Sequence, residues 1–280
     1  MSDAVIRFEP ASASTPAELT ALWNRAYESY YVPLVFTEAH LSHHMRRSGM
    51  ELDRSLVGRI DGEPFGLSCI AVRGERAWLG GFGVAKEHRR RGLAARMLSE
   101  HLMRLDLSGV RETVLEVISH NPARELYRAA GFVEQGPTLL VIGGVPRAGG
   151  EAVAAELDAE MLAKAHAGLR RAAPLTWRRD MPTLLDDLAH GARAWAVMRE
   201  GQPAAFAVVQ EMGGQDGLLD AAAIDPEAGE ALLGALARRR PDRKVRIIDE
   251  PEDSPLARAM KAAGFETSLT QVFMSRPRGG

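Results

Sequence analysis

The 280-residue sequence contains one cysteine, Cys69, which excludes an internal disulfide and any multi-cysteine zinc site. No apolar stretch approaches the roughly 18 residues that a membrane span needs. The N-terminal MSDAVIRFEP also lacks the basic segment and apolar core of an export signal. Excess charge of either sign is missing: the formal net charge of −2 gives no bulk attraction to nucleic acid or anionic lipid. These absences lead to the expectation of a cytoplasmic protein with no nucleic-acid and no membrane partner. Cys69 sits in the strand-like run Gly66 to Val72, where its reading is buried filler and not a nucleophile. What is present is an ordinary soluble composition, 46% hydrophobic and 26% charged. The length exceeds the roughly 100 to 150 residues usual for one domain, so two domains are expected, each with its own core.

An internal repeat supports two domains. The segment Arg59-Ile60-Asp61-Gly62-Glu63-Pro64 reads as a strand, a two-residue hairpin turn and a second strand. Met198-Arg199-Glu200-Gly201-Gln202-Pro203 repeats that plan, AAGF at Ala129 to Phe132 recurs at Ala262 to Phe265, and Pro33 to Phe36 matches Pro174 to Trp177. Three matches in one order indicate tandem copies of one fold. The boundaries expected from them are a first domain over 1–143, a linker over 144–150 and a second domain over 151–280. Within the first copy, strands are expected near 5–9, 55–60, 65–72, 77–84, 113–118 and 139–142. Helices are expected over about 18–31, 37–47, 93–105 and up to 130. This is a mixed α/β layer arrangement. The first strand of the second copy cannot be found in the sequence.

Two runs carry chemistry. RRRGLA at Arg89 to Ala94 places a basic, glycine-containing turn between an apolar strand and an amphipathic helix, so that Arg89, Arg90, Arg91, Gly92, Leu93 and Ala94 would present charge and amides to a phosphate. HNPARELYRAAGF at His120 to Phe132 puts Asn121 and the phenol of Tyr127 beyond the strand that holds Glu116. In this order, with a strand before each, the chain resembles the GNAT family of acyl-CoA-dependent N-acyltransferases. That family's signature is Arg or Gln, two residues, Gly, one residue, then Gly or Ala, filled here by Arg89, Gly92 and Ala94, with Val84 five residues upstream of Arg89.

The resemblance implies two tandem GNAT-like domains, each a mostly antiparallel mixed sheet flanked by helices, with strands splayed after Val84. It implies acetyl-CoA as co-substrate, with backbone amides of Phe82, Gly83 and Val84 along the pantetheine. Tyr127 is the acid candidate for the leaving thiolate, since a phenol stays protonated at neutral pH, and Glu116 is the weaker base candidate. The family's asparagine stands seven residues before the tyrosine, whereas Asn121 stands six before Tyr127, so either His120 or Asn121 meets the pantetheine. Tyr27, Tyr30 and Tyr31 border the region where the acceptor binds in the family. His40 and His44 share a helix face, but no carboxylate accompanies them and no metal site is expected.

The second copy differs at the cradle. Asp225-Pro226-Glu227-Ala228-Gly229-Glu230 stands where the first copy has its basic turn, Met260 aligns with Tyr127 and Ser254 with Asn121. An acidic turn repels a pyrophosphate, so the second copy is read as degenerate, with a role as wall, lid or subunit contact, the last in a homodimer. The leading function is transfer of acetyl from acetyl-CoA to a primary amine of a small metabolite, amino acid or peptide by direct attack in a ternary complex. The alternative is a non-catalytic acyl-CoA binding or sensing module.

Overall fold

The structure, a computed structural model, describes residues 5–32, 34–170 and 176–279. Pro33, Pro174 and Leu175 of the third repeat match lie outside these residues. The chain forms two compact units. The first takes in the chain up to Leu115 together with Pro122–Val133 and Met274–Gly280, and the second comprises Glu116–Asn121 and Glu134–Phe273. The units are therefore not the continuous stretches 1–143 and 151–280: residues 134–143 count with the second unit and residues from Met274 onward with the first.

The first unit begins with β1 (Ile6–Pro10), α1 (Pro16–Ala26) and α2 (Glu38–Ser48), followed by β2 (Leu56–Ile60), β3 (Glu63–Arg73) and β4 (Arg76–Val84). Then come α3 (Leu93–Leu107), β5 (Glu112–Ile118), which crosses into the second unit at Glu116, and α4 (Ala123–Ala129). Neighbouring strands run β1-β2-β3-β4-β5, antiparallel except for the parallel β4–β5 pair. Trp23, Leu22, Leu41 and Met45 of α1 and α2 pack with Val57 and Leu67 of the sheet, while Leu93 and Met97 of α3 pack with Phe65 and Val84.

The second unit repeats the plan with β6 (Val133–Gly144), β7 (Ala154–Leu157), α5 (Ala159–Leu169), α6 (Met181–Ala189), β8 (Arg193–Arg199) and β9 (Gln202–Met212). It continues through β10 (Gln215–Ala223), α7 (Pro226–Arg239), β11 (Lys244–Pro251), α8 (Pro255–Ala262) and β12 (Glu266–Pro277). Here β6 pairs antiparallel with β11, the strand that runs parallel to β10. Alternation sorts the side chains between two faces. Trp195, Val197, Ala205, Ala207 and Val209 join α7 and α8 on one face, and Ala194, Ala196, Phe206 and Val208 join α5 and α6 on the other. The missing first strand is β7, paired antiparallel with β8. Its four residues, AAEL, carry no β-branched or aromatic side chain, which hid it.

Both hairpin turns form as expected: Asp61-Gly62 has φ of 50° and 92°, and Glu200-Gly201 has 52° and 77°, the left-handed pair that a tight hairpin with the native twist requires. The helix expected to reach Tyr31 ends at Ala26, with Tyr27 as its C-cap and Ser29 at φ 62° turning the chain. The splay also begins earlier than Val84. Pairing of β4 with β5 runs only from Arg76↔Glu112 to Trp78↔Val114. Beyond it Gly80 is an extra residue between the Leu79↔Ile70 and Gly81↔Cys69 pairs, and such a bulge bends its strand away.

Cys69 is buried and its thiol is pushed up to about 12 by burial, so the filler role holds. Among the described residues no helix is long and apolar enough to cross a membrane. No group of three His, Cys, Asp or Glu residues able to hold a metal occurs among them.

One buried polar pair sets a pH limit. His101 is buried, with Nε2 2.8 Å from the Arg54 carbonyl and Nδ1 2.6 Å from the Ser68 hydroxyl. Burial favours the neutral ring, which donates from Nε2 to the carbonyl and accepts at Nδ1 from the hydroxyl. Burial lowers its pKa from 6.5 to about 4. Between those values the unfolded chain holds a proton that the folded chain does not, so stability falls as pH drops through that window, by up to about 3 kcal/mol. Urea unfolding at pH 7 and pH 4.5 should show this loss, and His101→Gln, which does not titrate, should lose measurably less over the same interval.

Candidate active site

The turn after β4 is built around an unfilled helix end. Arg90 (φ 59°) and Gly92 (φ 74°) adopt left-handed backbone, and Gly92 is the N-cap of α3. A glycine N-cap has no side chain to offer, and the first intrahelical bond runs from Arg96 N–H to the Gly92 carbonyl at 3.2 Å. The amides of Leu93, Ala94 and Ala95 precede that bond and point out of the helix start, with the positive end of its dipole. By contrast α1, α2, α5, α7 and α8 are all capped, by Thr15, Thr37, Asp158, Asp225 and Ser254. Also without a side-chain cap hydrogen bond are α4, which starts after Pro122 and carries Tyr127, and α6, whose N-cap is Asp180.

The side chain of Arg89 has a task that the motif does not advertise. Its Nε donates to the Val84 carbonyl at 2.9 Å, and its Nη2 donates to the Ala26 carbonyl at 2.8 Å and reaches that of Glu28 at 3.5 Å. It thereby ties the C-terminal end of α1 to the end of β4. The same end of α1 sends the Tyr27 hydroxyl to the exposed edge of β4, 3.1 Å from the Phe82 amide, which donates to it. The glycines of β4 let α1 lie this close: a Cβ on Gly81 would stand 2.3 Å from the Trp23 ring. Of the three amides expected along the pantetheine, that of Phe82 is therefore already bonded to Tyr27.

Tyr127 is brought to this place. Its ring lies edge-on to Phe82 with centroids 6.1 Å apart, and Tyr27 meets Tyr30 at 5.1 Å. Tyr30 meets Tyr31 in turn at 5.3 Å. Burial raises the pKa of Tyr27 and of Tyr127, and the Tyr30 phenol nearby raises both further. Three phenols thus share one patch beside the β4 edge. Trp23 stacks on Tyr27 and meets both Phe36 and His44 edge-on, so His44 belongs to an aromatic cluster.

Glu116, His120 and Asn121 fall in the second unit. The Asn121 amide donates to the Ile118 carbonyl at 2.9 Å, closing the turn before α4. Glu116 is half-buried and close to Arg178, whose pKa is raised, against the effect of burial, by the Asp249 and Glu116 carboxylates.

In the second unit both corresponding places are closed by the chain itself. Asp225 caps α7 by accepting from the Ala228 amide at 2.8 Å and pairs with Arg199 at 2.6 Å. That arginine and that amide hold its carboxyl below the usual carboxylate range. On the edge of β10, the residue at the extra position is Leu219, and Asp220 follows it. Asp220 accepts from Arg179 and forms an ion pair with Arg170, each at 2.6 Å. Arg170 and Arg179 also donate to the Ala221 carbonyl at 2.7 and 2.9 Å, and Arg179 reaches Glu250 at 2.8 Å. At an offset of 139 residues Ala221 matches Phe82, so a buried ionic cluster covers the edge that Tyr27 covers in the first unit. The sequence reading missed this cluster, although its signal was legible: a lone acid inside LLDAAA and an acid pair ending RIIDE stand in otherwise apolar strands.

The family model described as Acetyltransferase (GNAT) family matches residues 17–132. No curated protein matches the chain. Among solved structures, the chain is similar to a tandem GNAT protein from the clavulanic acid biosynthesis pathway, at 17% identity and TM-score 0.68, covering 99% of both chains. It is also similar to a GCN5-related N-acetyltransferase from Sphaerobacter thermophilus, at 13% identity and TM-score 0.73, over 98% of this chain and 96% of that one. A third, from Anabaena variabilis, shares 13% identity with TM-score 0.66 over 98% and 73%. At these identities the likeness concerns the fold, and it extends over both units.

The Arg89 contacts generate a prediction. A lysine keeps the charge but cannot reach carbonyls on two elements with one planar fork. Arg89→Lys should therefore lower stability by about 1 to 3 kcal/mol, read by chemical denaturation, even with no ligand present. Unchanged stability would return Arg89 to a purely electrostatic role.

Proposed function

We propose, from the premise that the chain belongs through its residues 17–132 to the acetyltransferase (GNAT) family, that the first unit transfers acetyl from acetyl-CoA to a primary amine of a small metabolite, amino acid or peptide. The observation that carries this reading is the contrast between the two helix starts, α3 open behind Gly92 and α7 closed by Asp225. Amides of Leu93 and Ala94, with Arg90 and Arg91 beside them, are assigned to the pyrophosphate. Phe82, Gly83 and Val84 are assigned to the pantetheine, with His120 or Asn121 as a further contact. Because the Phe82 amide is held by Tyr27, this assignment requires the Tyr27 hydroxyl to yield its place or to remain as part of the binding edge.

Acetyl-CoA supplies the activated acyl group. The neutral amine attacks the thioester carbonyl carbon, the new C–N bond forms, and the C–S bond breaks. Tyr127 is assigned as the proton donor to the departing sulfur, and its burial keeps the phenol protonated throughout neutral pH. The amine must lose a proton, for which Glu116 is the proposed acceptor. Tyr27, Tyr30 and Tyr31 are the proposed wall of the acceptor pocket, and amine cations are attracted to such aromatic faces.

Thiol release from acetyl-CoA, measured across a panel of primary amines, tests the reaction. Tyr127→Phe keeps the ring against Phe82 and removes only the hydroxyl. Turnover should fall roughly 100- to 10,000-fold with acetyl-CoA affinity little changed. If affinity falls while turnover persists, the phenol anchors the carrier and the acid lies elsewhere.

A further inference from the structure

The second unit contains a cavity of about 180 Å³ beside the point where β10 and β11 part. Pairing of those strands ends at Leu218↔Ile247, so the gap repeats the one beside Phe82 in the first unit. Leu169, Ala223 and Leu256 supply apolar wall, and Arg170, Glu250 and Ser254 supply the polar side. At the repeat offsets Ala223 stands at the place of Val84, and Ser254 at the place of Asn121. The cavity therefore occupies the position assigned in the first unit to the acyl end of the carrier, while the pyrophosphate position is closed by Asp225.

Among the buried side chains of its wall, the hydrogen-bonding capacity left is that of a donor. Both oxygens of Glu250 are engaged, Oε1 by the Ser254 hydroxyl and Oε2 by Arg179 at 2.8 Å. The Ser254 oxygen in turn caps α8 at the Ala257 amide. Arg170, with its side chain only 6% exposed, makes its contacts among the described residues through Nη2: Ala221 carbonyl at 2.7 Å, Asp220 at 2.6 Å and Glu250 at 3.6 Å. Its Nε is buried with no hydrogen-bond partner, and none of these contacts uses Nη1. A buried guanidinium with unmatched N–H groups is costly unless an oxygen acceptor meets it. The volume is several times the ~30 Å³ share of one water, which suits a short organic acid. Asp253, exposed on the same wall, repels a second negative charge.

We propose that this cavity binds a small monocarboxylate, with the carboxylate on Arg170 and the aliphatic end against Leu169, Ala223 and Leu256. The site is separate from the transfer chemistry, so its test does not depend on whether the first unit is active. Full-length protein is titrated calorimetrically with sodium propionate against a sodium chloride control, and with succinate and propionamide. Saturable binding of propionate is expected, at least tenfold weaker for succinate and undetectable for propionamide. Arg170→Met should abolish it, and Ala223→Val, which narrows the cavity and keeps Arg170, should weaken it at least fivefold. Crystals of the unaltered protein grown with 2-bromopropionate locate the site by anomalous bromine density whether or not the variants fold. Bromine density between Arg170 and Ala223 supports the proposal. No saturable heat above the chloride control, bromine elsewhere only, or full affinity in Arg170→Met overturns it.

Discussion

A parallel strand pair that stops pairing halfway leaves backbone N–H and C=O groups on both inner edges, and buried groups of that kind must find partners. This is the constraint on which both units turn. In the first, pairing of β4 with β5 ends at Trp78↔Val114, and in the second, pairing of β10 with β11 ends at Leu218↔Ile247. In each unit one residue is inserted just past the break, Gly80 and Leu219, and these two positions differ by 139 residues, the offset of the hairpins. The bulge, the splay and the demand for edge partners were thus duplicated together. What diverged is the chemistry that meets the demand.

The first unit meets it with one phenol and one arginine and leaves its helix start open. The Tyr27 hydroxyl takes the Phe82 amide, Arg89 takes the Val84 carbonyl, and nothing on a side chain caps α3. The second unit meets it with ions. Arg170 and Arg179 cover the Ala221 carbonyl, Asp220 and Glu250 balance them, and Asp225 caps α7. A carboxylate at the start of α7 does for the helix what a phosphate would do, and its negative charge then disfavours the phosphate. The degenerate character of the second unit is in this sense a substitution of internal partners for external ones.

Much of this was legible in the sequence because it depends on local rules. The hairpin turns were readable from Asp61-Gly62 and Glu200-Gly201, since few residue pairs tolerate left-handed backbone twice in succession. The open helix start was readable from Gly92 after three arginines, and the closed one from Asp225 before Pro226. The short strand β7 was hidden because AAEL has no strand signal of its own and is held by its pairing with β8. The assignment of residues 134–143 to the second unit and 274–280 to the first was hidden for a similar reason. Strand neighbours are chosen by non-local pairing, and the repeat is equally consistent with a strand that stays in its own copy or leaves it. The role of Arg89 was misdirected by its charge. A basic residue beside a phosphate cradle suggests an anion, whereas its planar fork was needed by three carbonyls.

The energies separate the two edges. Displacing the Tyr27 hydroxyl from the Phe82 amide exchanges one neutral hydrogen bond for another, at a net cost of about 1 kcal/mol before any new contact is made. Reaching the equivalent Ala221 edge would mean parting Arg170 and Arg179 from Asp220 and Glu250 in a buried setting. Loss of one partner from such a pair costs about 3 to 5 kcal/mol. Burial already raises the pKa of Asp220 and Glu250 despite the arginines, so these carboxylates have no reserve of solvation with which to lose a partner. A flexible carrier offered the same splayed geometry in both units would therefore compete with a single phenol in one and with an ionic lattice in the other. The cheaper displacement lies at β4, the edge that the proposed reading assigns to the carrier, and the costlier one lies at β10.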